Sequence, residues 1–112
     1  IGHQGATSLA EGLDGASLLT SLSLGFCGIG QEGLTAMSMV LYHNTALTSL
    51  NLDSNSLCVR GAATLSVCLA RHSSLTLLDL GCNYIREKGL RALVPVLQAN
   101  PAMRTLRLGC ND

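Results

Sequence analysis

Rings and excess charge are what this 112-residue sequence has least of: no Trp, one Phe and two Tyr, with 7 Lys and Arg balanced by 7 Asp and Glu. So few aromatic residues cannot build the cages that hold quaternary amines or the platforms on which bases stack. A formal net charge of zero excludes the broad basic footprint of a nucleic-acid binder and the self-repulsion of a highly charged disordered chain. No stretch approaches the ~18 to 20 uninterrupted apolar residues of a membrane span. The five cysteines form no C-x-x-C pair, and there is no N-x-S/T acceptor. An odd count without those signatures points to reduced thiols in the cytoplasm or nucleus, not to a secreted disulfide framework. Ile1-Gly2-His3-Gln4 shows neither an initiator Met nor a signal-peptide pattern, so the sequence reads as a cut piece of a larger soluble protein.

What is present is leucine in a strict rhythm. Steps of 28 residues lead from Leu19 to Leu47, Leu75 and Met103, from Leu22 to Leu50, Leu78 and Leu106, and from Leu24 to Leu52, Leu80 and Leu108. The next polar column is Cys27, Asn55, Asn83 and Asn111, followed by Ile29, Leu57 and Ile85. The unit is L-x-x-L-x-L-x-x-(N/C)-x-(L/I), written four times without a register slip. Further columns of Gly5, Gly33, Gly61 and Gly89, of Leu9, Met37, Leu65 and Leu93, and of Leu13, Leu41, Leu69 and Leu97 fill the other half.

These columns resemble the leucine-rich repeats, and the fixed 28-residue unit with Asn or Cys at its ninth position is similar to the ribonuclease-inhibitor-like subfamily. The stretch from Leu47 to Leu57, followed by Gly61-Ala62, is most similar to repeats of NLR innate-immune receptors and of the Ran GTPase-activating protein. Ribonuclease inhibitor itself alternates two repeat lengths, which this sequence does not. The resemblance implies a module for protein recognition.

The residues lead to the same architecture. Apolar and polar positions alternate in Leu22-Ser23-Leu24 and Leu50-Asn51-Leu52, the period of a strand with one buried face. Leu34, Met37, Val40 and Leu41 form one stripe of an amphipathic helix. The expected fold is α/β, a leucine-rich-repeat right-handed solenoid with a parallel sheet on the concave face of a horseshoe arc and helices on the convex face. Strands sit about 4.8 Å apart and packed helices about 8 to 10 Å, which forces the helices to the outside of the arc. The organisation read is a single array over 1–112: a partial repeat at 1–18, full repeats at 19–46, 47–74 and 75–102, and a partial repeat at 103–112. It is expected to be uncapped and flanked by repeats of the same chain at both ends. Pro95 falls where the equivalent helical positions carry Met39 and Val67, so that helix is expected to start late or kink.

Few residues suggest bond chemistry. Cys82 and Cys110 share a column with Phe26 and Ser54; a redox pair or soft-metal site there is the alternative to a plain edge position, which is the simpler reading because no His column lies beside them. Cys68 shares a column with Val40 and Val96 and reads as a small buried hydrophobe; Cys58 reads as exposed. His43 and His72 are explained by helix C-termini, and His3 by a chain end. Gly28-Ile29-Gly30-Gln31-Glu32-Gly33 spells G-x-G-x-x-G, yet Gly33 and Ile29 already belong to repeat columns. No catalytic, cofactor or metal site is assigned.

The zero charge conceals two opposed halves. Residues 1–59 carry Glu11, Asp14, Glu32 and Asp53 with no Lys or Arg, a net of −4. All seven basic residues (Arg60, Arg71, Arg86, Lys88, Arg91, Arg104, Arg107) follow, against Asp79, Glu87 and Asp112, a net of +4. A basic half attracts an acidic partner surface, and the simpler reading is ordinary solvated charge, with Arg107 answering Asp79 on the neighbouring strand. The candidate protein-binding face is Ser23, Asn51, Asp53, Leu77, Asp79, Arg104 and Arg107, and the structural ladder is Cys27, Asn55, Asn83 and Asn111. The expected function is recognition or scaffolding within an intracellular protein such as an NLR-type receptor. The alternatives are a GTPase-activating repeat domain and a ribonuclease-inhibitor-like enzyme inhibitor. The partner is a protein, with no nucleic acid and no membrane.

Overall fold

The computed structural model describes residues 1–16 and 18–112; Ser17, inside the partial first unit, lies outside them. Helices and short strands alternate: α1 (Gly2–Gly12), β1 (Ser21–Ser23), α2 (Gly30–His43), β2 (Ser49–Asn51), α3 (Cys58–Cys68), β3 (Leu77–Asp79), α4 (Arg86–Ala99) and β4 (Thr105–Arg107). The strands form one parallel sheet in the order β1-β2-β3-β4. Parallel neighbours require a crossover, and here each crossover is a helix. Leu22 pairs with Leu50, Leu50 with Leu78 and Leu78 with Leu106, so the 28-residue columns of the sequence are physical rows of the sheet.

The core lies between the sheet and the helical layer and is almost wholly aliphatic. Leu47, Leu50, Leu75 and Leu78 are inaccessible to solvent, as are Ile29 and Leu57 in the loops that leave the strands. From α2 the stripe Leu34, Met37, Val40 and Leu41 is buried, as the helical spacing requires. Each fully buried Leu contributes roughly 1.5 to 3 kcal/mol by leaving water. The glycine column lets successive helices approach: a Cβ on Gly89 would stand 2.6 Å from Cγ2 of Ile85 and 3.0 Å from Cβ of Ala62 on α3.

Pro95 does not delay its helix. Helix α4 begins at Arg86, in the same column as Gly30 at the start of α2 and Cys58 at the start of α3, and runs through Pro95 to Ala99. The proline is exposed, and the helix loses the backbone bond that its N–H would have made.

The strand-exit loops are built on left-handed backbone at alternate positions. In the third loop Cys82, Tyr84 and Arg86 have φ of 49°, 56° and 57°, and in the second Ser54, Ser56 and Cys58 have 55°, 55° and 58°. Non-glycine residues rarely stay there unless their surroundings hold them. The hold is visible at two stations in each loop: Ser54 and Cys58 donate their N–H groups to Gly81 and Asn83 carbonyls at 2.9 and 2.8 Å. Cys82 and Arg86 do the same to Gly109 and Asn111, each at 2.8 Å.

Candidate functional site

The outward-facing positions of the sheet make two rows. One is Ser21, Ser49, Leu77 and Thr105; the other is Ser23, Asn51, Asp79 and Arg107. Ser23 and Arg107 are exposed, Asn51, Asp53 and Leu77 are half-buried, and Asp79 is 8% exposed. Asn51 and Asp79 have local work: Oδ1 of Asn51 accepts the Asp53 N–H at 2.9 Å, and Oδ1 of Asp79 accepts the Gly81 N–H at 3.1 Å. Such two-residue contacts fix the backbone as it leaves the strand. Asp53 leans over Gly81, where a Cβ would lie 2.6 Å from Oδ1.

Arg107 and Asp79 meet across the β3–β4 pair, with Nη1 donating to Oδ2 at 3.2 Å. The carboxylate is largely covered while the guanidinium is mostly in solvent, so the pair contributes less than about 1 kcal/mol. Arg104 is not on the sheet face. It stands at the strand entry, in a column with Thr20, Thr48 and Thr76, whose side chains step along the edge: Thr48 Oγ1 donates to the Thr20 carbonyl and Thr76 Oγ1 to the Thr48 carbonyl. The candidate residues thus divide into an exposed set, Ser23, Arg104 and Arg107, and a set engaged by the fold, Asn51, Asp53 and Asp79, with Leu77 between them.

The Asn column runs beneath the exit loops. Asn83 accepts the N–H groups of Asn55 and Leu57 on Oδ1 at 3.0 and 3.3 Å and donates from Nδ2 to the carbonyls of Leu52 and Gly81 at 2.8 and 2.9 Å. Asn55 and Asn111 repeat the pattern one rung away on either side. An amide is the one side chain with both donors and an acceptor in a plane, as this position requires. Cys27 is half-buried in the same column, and its backbone carbonyl accepts the Gly2 N–H at 2.8 Å.

A second buried polar column is masked in the sequence because His72 interrupts its two asparagines. Asn44, His72 and Asn100 occupy successive rungs at the helix-to-strand return, and all are at most 2% exposed. Asn44 donates to the carbonyls of Ala16 and Val40 and accepts the Leu19 N–H. His72 donates from Nε2 to the Leu41 carbonyl at 2.8 Å, and Asn100 from Nδ2 to the Leu75 carbonyl at 2.6 Å. Nδ1 of His72 and Oδ1 of Asn100 are buried without a partner among the described residues. Burial, opposed by the Leu41 bond, holds the His72 pKa below its ordinary value. His43, by contrast, ends α2 in solvent against Tyr42, at 5.3 Å between ring centroids, and Arg71 stacks over that same Tyr42 at 5.4 Å. The helix-end reading therefore fits His43, while His72 is a core residue.

Cys68 is buried, and desolvation pushes its thiol up to about 11. Among the described residues no three His, Cys, Asp or Glu side chains converge as a metal site would need. No helix is long and apolar enough to cross a membrane. A groove of about 460 Å³ runs beside α4, between Leu90 and Leu108, away from the outward-facing sheet rows.

A family model described as Leucine Rich repeat matches residues 15–38 and 71–94, two stretches in the same phase of the repeat. No curated protein matches the chain. With the alternating helices and parallel sheet, the matches support a leucine-rich-repeat protein.

Proposed function

We propose that this leucine-rich-repeat solenoid is a protein-recognition surface, and that the outward rows of its sheet carry the specificity. Leucine-rich repeats generally mediate protein–protein interaction. The supporting observation is a contrast within each rung: inward positions are Leu in all four strands, while the outward row reads Ser23, Asn51, Asp79, Arg107 on an equally rigid backbone. Outward positions lie outside the aliphatic core and can vary separately, as a recognition surface needs.

The partner expected at the high-numbered end is acidic. Arg104 and Arg107 are exposed there, within the half of the sequence that carries all seven basic residues. Charge of this kind raises association rate and selectivity more than affinity. The residue-level similarity around Leu47–Leu57 favours the repeat region of an intracellular NLR-type receptor; a GTPase-activating repeat domain is the alternative, and a ribonuclease-inhibitor-like role is disfavoured by a sheet face without aromatic anchors.

The test is affinity capture followed by mass spectrometry, comparing the natural chain with Arg104→Glu/Arg107→Glu and with the convex-face control Met39→Ser/Val67→Ser. Partners should be lost from the first variant and retained by the second. Equal recovery with both removes the basic end from the interface; loss only from the control moves the interface to the helices.

A further inference from the structure

Cys82 and Cys110 hold one column on neighbouring rungs, with matching left-handed backbones at φ 49° and 55°. Equal backbone geometry on paired rungs aims the two Cα–Cβ bonds the same way. The rungs are locked at this point, because the Cys82 N–H donates to the Gly109 carbonyl at 2.8 Å. Adjacent parallel strands lie about 4.8 Å apart, inside the ~4.4 to 6.8 Å Cα separation that a disulfide spans. Both thiols are exposed and unbridged. We propose that Cys82 and Cys110 are a redox dithiol, closed to an inter-rung disulfide by a low-molecular-weight disulfide and readily reopened by thiols.

The two side chains stand close enough to influence one another. The Cys82 thiol is raised above its ordinary range, first by its interaction with the Cys110 side chain, then by desolvation and the negative charges of Cys110 and Asp53, with Ser54 opposing. One thiol of the pair loses its proton and attacks one sulfur of the small disulfide, whose S–S bond breaks and releases one small thiolate. The other then gives up its proton and attacks the protein sulfur of the mixed disulfide, expelling the second small thiolate. Two protein thiols are oxidised, one small disulfide is reduced to two thiols, and the two protein protons end on those thiols. Parallel Cα–Cβ bonds leave the Cβ atoms about 1 Å farther apart than the ~3.8 Å that suits a disulfide, so the closed bond is strained and easily reduced.

The experiment exposes the whole chain to mixtures of oxidised and reduced glutathione and follows intact mass and tryptic peptides. Cleavage at Arg86 and Arg104 separates the two cysteines, so a peptide joining them is diagnostic. The expected result is loss of two hydrogens without a glutathione adduct, with Cys82–Cys110 forming before any other pairing among the five cysteines. In Cys82→Ser the mixed disulfide at Cys110 should persist at least tenfold longer than in the natural chain; Ser54 already occupies this column, so the substitution suits the loop. Stable glutathione adducts on the natural chain, or earlier pairing through Cys58, would overturn the proposal.

Discussion

The two ends of the strands solve one problem with different success. Where the chain leaves the sheet, Asn55, Asn83 and Asn111 satisfy the backbone on both sides of each rung, with donors and acceptor all used. Where it returns, Asn44 is satisfied, but His72 and Asn100 each bury one polar atom without a partner among the described residues. A turn made identically at every rung admits one amide geometry. A return that differs in helix length, with α3 ending at Cys68 while α2 and α4 run 14 residues, admits several side chains and completes none as fully. The exit side is thus the rigid rim, and the return side is where the solenoid is tunable.

The largest expected effect tests the rigid rim. Asn83→Ala orphans the buried N–H groups of Asn55 and Leu57, while the Leu52 and Gly81 carbonyls keep bonds from Asn55 and Ser54, and should cost about 3 kcal/mol, since each buried orphan costs roughly 1 to 3 kcal/mol. His72→Ala should cost about half as much. Denaturant unfolding of both variants decides; equal costs would erase the difference between the two rims.

The next effect belongs to the return side alone. His72 has a folded-state pKa below its unfolded value of about 6.5. In the window beneath ~6.5 the unfolded chain therefore binds more protons, and stability declines as pH falls, by at most about 1.4 kcal/mol per unit. Above that window the contribution is constant. His72→Asn, which places the column's own residue type there, should flatten the decline, as measured by denaturant midpoints between pH 7.5 and 5.5; a profile unchanged by the substitution would assign the decline to other groups.

Smaller still is the repair of the rim at its first rung. Cys27→Asn offers the first loop the donors that its neighbours enjoy and should raise stability by about 0.5 to 1 kcal/mol, visible as a higher thermal midpoint. Smallest is Arg107→Ala, expected to cost under about 0.5 kcal/mol because its guanidinium is in water. A double-mutant cycle with Asp79→Asn measures the pair itself, and a coupling of several kcal/mol would make the contact structural.

Much of this contrast was legible in the sequence, and the parts that were not share a cause. The leucine rows, the Asn column and the Asp79–Arg107 pairing repeat a residue type or join two charges at the repeat length, so counting finds them. The Asn44, His72, Asn100 column is interrupted by a different residue at its middle rung, because the site asks only for a group that can reach a carbonyl. The left-handed stations were hidden for the opposite reason. Gly28 and Gly30 announce them in the first loop, but Tyr84 and Arg86 adopt the same backbone with no such signal. Pro95 does not set the start of its helix, because α4 begins at the loop column that opens α2 and α3 as well.

The bonds between rungs give the molecule a direction. Ser54 to Gly81, Cys58 to Asn83, Thr76 to Thr48 and the paired strands all span from one repeat to the next. A pull applied end to end meets these bonds head-on and in series, so it opens them a few at a time instead of shearing a whole row at once. Because each repeat contacts only its neighbours, a load applied end to end is expected to open such a stack rung by rung.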